Sequence, residues 1–64
     1  MRFTNAEKQR EIERELNYRR RVYDRLVAEG RMSGTESKRR ISIIEEIAGD
    51  YAVLAERDAP QLWK

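Results

Sequence analysis

The chain has 64 residues, of which 41% are charged, with 14 Lys and Arg against 12 Asp and Glu and a formal net charge of +2. That length allows one domain and falls below the size at which a single apolar core comfortably stabilises a fold. With no Cys and no His, disulfides and a structural zinc site are excluded as reinforcement, leaving oligomerisation or a permanent partner.

Thr4-Asn-Ala-Glu7 has the spacing of a capping box, and Phe3 stands where a hydrophobic staple would sit. No Pro or Gly interrupts the chain from Asn5 to Glu29. Gly30 then supplies a residue that tolerates the left-handed conformation ending a helix. The first predicted helix therefore covers about 5–29 and is roughly 37 Å long. Ser33-Gly-Thr-Glu36 repeats the capping pattern, and a second helix is predicted over about 34–57, stopped at Asp58-Ala59-Pro60. Only Gly30, Arg31, Met32 and Ser33 lie between the two. So short a connection makes them antiparallel neighbours, and the expected fold is an all-α helical hairpin occupying 1–64, with a short tail at 58–64.

The apolar pattern is clearest in the second helix. Ile41, Ile44, Ala48, Tyr51 and Ala55 follow 3,4 spacing, and Ile43, Ile47 and Leu54 widen that stripe. The first helix offers Ile12, Leu16, Tyr23, Leu26 and Val27, flanked by Tyr18 and Val22 and interrupted by Arg19. The expected core is Ile12, Leu16, Tyr23, Leu26, Ile41, Ile44, Ile47, Ala48, Tyr51 and Leu54. These stripes are broader than one partner helix covers, so a dimer forming a four-helix bundle is expected. Residues 17–47 hold eight Lys/Arg and five Asp/Glu, net +3, and the remainder six and seven, net −1. A basic tip and an acidic open end suit an antiparallel, two-fold homodimer. If Arg19 is buried in the seam, Glu45 is its nearest plausible countercharge. In the tail, Leu62 and Trp63 either fold back over the open end near Phe3 or present Trp63 as an anchor for a partner.

Catalytic signatures are missing. Without His or Cys the commonest groups for acid–base and nucleophilic work are absent. Gly30, Gly34 and Gly49 form no phosphate-binding loop. Glu11 and Glu15, and Glu46 and Asp50, share helix faces that can attract a hard cation, but Arg14 and Arg19 lie close enough to neutralise such a face. The expectation is a non-enzymatic protein with no metal, cofactor or small-molecule substrate.

The basic clusters are the strongest local feature: Arg19, Arg20, Arg21 and Arg25 on the first helix, and Lys38, Arg39 and Arg40 on the second. Three readings fit them. They form a solvated face with i, i+4 pairs such as Glu15–Arg19, Arg20–Asp24, Arg25–Glu29 and Glu36–Arg40. They bind an acidic protein patch, with Tyr18 and Trp63 as aromatic anchors. Or they grip nucleic-acid phosphates. The longest apolar run, Tyr51-Ala-Val-Leu-Ala55, is far short of a membrane span, and Met1-Arg-Phe-Thr lacks the apolar core of a signal peptide. A cytoplasmic location is expected.

The stretch Glu15-Leu-Asn-Tyr-Arg-Arg-Arg-Val-Tyr23, with Leu26-Val-Ala-Glu-Gly30, Met32-Ser33, Glu36, Arg39-Arg40-Ile41 and Glu46-Ile-Ala-Gly-Asp-Tyr51, resembles a group of small uncharacterised proteins encoded by phages and prophages of proteobacteria. The likeness covers about residues 11 to 51. Members of the group often carry Pro after the Val-Tyr pair, where Asp24 stands here, and usually lack a glycine after the second cap, where Gly34 stands. The resemblance implies a helical hairpin and a phage accessory protein acting in the host cytoplasm; it implies no activity. By analogy with other compact, charged phage proteins, which often occupy a host protein surface, inhibition of a host defence system such as CRISPR is one expected role. A purely structural, self-assembling subunit is a further alternative.

Overall fold

Thr4 starts the first helix with both halves of a capping box. In the computed structural model, which describes residues 2–58, the Glu7 backbone N–H donates to Thr4 Oγ1 at 3.0 Å and the Thr4 N–H donates to Glu7 Oε1 at 3.0 Å. The helix, α1, runs Asn5–Ala28. Phe3 is not stapled: it stays 53% exposed, beside Lys8 rather than an apolar residue at the staple position, with the Arg2 guanidinium 5.4 Å from its ring centre.

α1 ends one residue before its expected limit, and Glu29 becomes its C-cap. Gly30 follows with φ +73°, and two hydrogen bonds close the end. The Gly30 N–H donates to the Val27 carbonyl at 3.1 Å, and the Arg31 N–H donates to the Leu26 carbonyl at 2.8 Å. This is a Schellman motif, and its left-handed residue costs glycine little. The chain reverses and α2 runs Gly34–Asp58. Ser33 caps it by accepting from the Glu36 N–H at 3.0 Å. The reciprocal half of the expected second capping box is replaced, because the Glu36 carboxylate lies 3.7 Å from Arg40 instead.

The two helices pack as an antiparallel hairpin. Leu16 and Tyr23 of α1 and Ile44 and Ala48 of α2 form the seam, each 8% exposed. Among the described residues no large side chain is fully buried. Ile12, Leu26, Ile41 and Tyr51 are half-buried along the seam's edges. Ile47 and Leu54, expected in the core, are each 37% exposed. The reason is rotational: at about 100° per residue, both turn roughly a quarter-circle from the direction α1 occupies. At the open end Asn5 Nδ2 donates to Asp58 Oδ2 at 2.7 Å, tying the two ends together. Residues 59–64, with Pro60, Leu62 and Trp63, lie outside the described residues.

Two predictions follow from this packing. Ile44→Ala will destabilise the chain by about 2–4 kcal/mol in urea unfolding followed by circular dichroism, whereas Val53→Ala, on the far side of α2, will change it by less than ~0.5 kcal/mol. The second concerns acid. The Thr4 backbone N–H, with the Thr4 hydroxyl adding to it, holds the Glu7 carboxyl below its ordinary value. Its contribution is therefore complete above the ordinary carboxylate range and lost as pH falls through the lowered value. Glu7→Gln keeps an acceptor but cannot titrate, so its helicity will fall less steeply than wild type at the acid end of a pH series.

Candidate interaction surface

The hairpin has two flanks where the helices meet, and they differ in chemistry. One is lined by Arg20 and Asp24 of α1 and by Ser37, Lys38, Ile41, Ser42 and Glu45 of α2. It is polar and charge-balanced. Arg20 Nη2 donates to Glu45 Oε2 at 2.6 Å across the helices, both side chains 47% exposed. This corrects the local pairing of Arg20 with Asp24, and it also takes Glu45 away from Arg19. The 100° helical step places Arg20 toward α2 and Asp24 further out.

Arg19 lies on the opposite flank, neither buried nor free. Its Nε donates to Glu15 Oε1 at 2.8 Å and its Nη1 to the Tyr23 hydroxyl at 3.5 Å, with 40% of its side chain exposed. The Glu15 carboxylate, then the Tyr23 hydroxyl, raises the Arg19 guanidinium above its ordinary value. Lys8, Glu11, Ile12 and Glu15 of α1 and Ile47 and Tyr51 of α2 line a shallow groove here, with the Lys8 ammonium 5.7 Å from the centre of the Tyr51 ring. Glu11, one of the expected acidic pair, accepts from Arg14 Nη2 at 3.0 Å, and Glu15 is held by Arg19. Ile43 (44% exposed) and Leu54 extend Ile47 into an apolar line along this flank.

The seven cations of the expected basic tip thus divide. Arg19, Arg20 and Arg40 are engaged with Glu15, Glu45 and Glu36. Arg21, Arg25, Lys38 and Arg39 are exposed and have no ion-pair partner among the described residues. Arg25 does not take Glu29, whose carboxylate lies 3.5 Å from Arg31. Arg21 and Arg25 share the outer side of α1, one turn apart, while Lys38 and Arg39 diverge by about 100° around α2. Tyr18 is 55% exposed on α1; Trp63 lies outside the described residues. Among the described residues no group of three or more His, Cys, Asp or Glu is arranged to hold a metal ion, and no helix is long and apolar enough to cross a membrane.

Comparison with protein-family models, with curated proteins and with solved structures found no match for this chain. The surface is therefore read from its own chemistry. The cross-helix pair is half-exposed, so a double-mutant cycle on Arg20→Ala and Glu45→Ala will give a coupling of about 1 kcal/mol or less. That coupling will shrink as salt is raised in the unfolding assay.

Proposed function

We propose that the chain is a non-enzymatic interaction protein that self-associates through its apolar flank and offers its unpaired cations to an acidic protein surface. The observation that carries this reading is the exposed line of Ile43, Ile47 and Leu54 on a hairpin in which no large side chain is fully buried among the described residues. A 64-residue hairpin that leaves this much apolar surface wet gains by covering it with protein. Arg21, Arg25, Lys38 and Arg39 supply the second surface, because they are exposed and have no ion-pair partner among the described residues.

The resemblance to phage and prophage proteins supports the wider reading of an accessory protein in the host cytoplasm. There it would bind a host or phage protein, with inhibition of a defence system such as CRISPR as the role favoured by analogy. The same four exposed cations support a nucleic-acid reading, which differs in its steep dependence on salt.

The test is affinity capture of the tagged chain from bacterial lysate, with and without nuclease, alongside a variant carrying Arg21→Glu, Arg25→Glu, Lys38→Glu and Arg39→Glu. One host protein retained after nuclease and reduced about tenfold or more by the charge reversal is the expected outcome. Recovery that vanishes with nuclease would transfer the surface to nucleic acid. Recovery of the bait alone, from hosts of several lineages, would leave a structural subunit whose partner is itself.

A further inference from the structure

Ile43 and Ile47 sit one turn apart on the flank that α1 leaves uncovered. Arg40 stands three residues before Ile43, and Asp50 three residues after Ile47. At 100° per residue these four side chains fall within an arc of roughly 80°, and Leu54 lies inside the same arc. The spacing of the four is the same read from either end, and the charges at the two ends are opposite.

We propose that α2 packs antiparallel against α2 of a second copy, about a two-fold axis at the height of residue 45 along the helix, on the flank opposite the Glu45 side chain; this rests on the self-association proposed above and names its surface. In that register Ile43 meets Ile47 of the second copy, and the reverse, so the central contact is apolar on both sides. Arg40 meets Asp50 of the second copy, and this too occurs twice. Leu54 ends the line against the aliphatic stem of Glu36 of the second copy. Residue 45 is next to the midpoint of Gly34–Asp58, so the two helices overlap along nearly their whole length.

Other arrangements of this face are worse matched. Parallel pairing sets Arg40 beside Arg40 and Asp50 beside Asp50, which like-charge repulsion opposes. Moving the axis by two residues, to residue 47, sets Arg40 opposite Leu54 and takes the partner from Asp50. The required charges are available. Asp50 has no ion-pair partner among the described residues. Arg40 is 54% exposed, and its 3.7 Å approach to Glu36 is the longest ion pair in the molecule's described residues. On α1 the same axis passes near Arg19, whose charge Glu15 already neutralises at 2.8 Å.

The experiment is sedimentation equilibrium of the full chain, with circular dichroism to confirm helicity, on wild type, Arg40→Asp, Asp50→Lys and the double variant. Wild type is expected to be dimeric. Each single change is expected to weaken the dimer about tenfold or more, and the double variant to recover to within about threefold of wild type. A wild-type monomer at high micromolar concentration overturns both the self-association and this interface. A dimer indifferent to the single changes, or one that the double change does not restore, overturns this interface and leaves self-association standing. If a single variant loses helicity, cysteine pairing decides instead. An equimolar mixture of Ile43→Cys and Ile47→Cys chains is expected to form a disulfide-linked dimer on oxidation, in preference to either chain alone. Equal linking in all three samples overturns the register.

Discussion

Two antiparallel helices share a single seam, and the apolar faces of this pair are wider than that seam. Leu16, Tyr23, Ile44 and Ala48 fill it, yet each retains 8% exposure, because among the described residues no third element covers the seam from either flank. Everything else in the molecule is arranged around this shortage of cover. The Schellman turn at Gly30 enforces the antiparallel geometry, and Asn5–Asp58 closes the far end. Residues that rotate about a quarter-circle or more out of the seam, such as Ile43, Ile47 and Leu54, are only partly covered by the hairpin.

The two flanks resolve the same geometry in different ways. On one, the Arg20–Glu45 pair bridges the helices and leaves a polar, charge-balanced groove. Half-exposed pairs of this kind set orientation more than they add stability. On the other, aliphatic side chains stand next to Tyr51 and the Glu15–Arg19 pair. The Glu15–Arg19 pair neutralises Arg19 locally beside that flank's apolar line. The polarity difference between the flanks is what gives the hairpin one face suited to water and another suited to protein.

A chain of this size without cysteine or histidine has few ways to add to a narrow core. Association is one of them, and under the self-association proposed above it would couple folding to concentration, because each copy would bury what the other leaves wet. The unpaired cations are compatible with this division of labour. Arg21 and Arg25 lie on the outer side of α1, away from both the seam and the apolar line, so the proposed acidic partner would reach them without disturbing the proposed self-contact.

Local sequence determined the helices, their caps and the turn. Thr4 and Glu7, Ser33, and Gly30 act through hydrogen bonds and dihedral preferences within a few residues, so their roles are legible without tertiary context. The antiparallel hairpin follows from the short connection. Periodicity also located Leu16, Tyr23, Ile44 and Ala48, since 3,4 spacing reports which residues share a face. It did not report how wide an arc one partner helix covers, and so Ile47 and Leu54 were expected inside and lie outside. Spacing of four along one helix also reported the Glu15–Arg19 and Glu36–Arg40 pairs, but not the pairing across the seam. Arg20 turned to Glu45 rather than Asp24, and Glu45 was thereby lost to Arg19, because a choice between a neighbour on the same helix and one across the seam depends on rotation and register. Those two quantities exist only once the helices have packed.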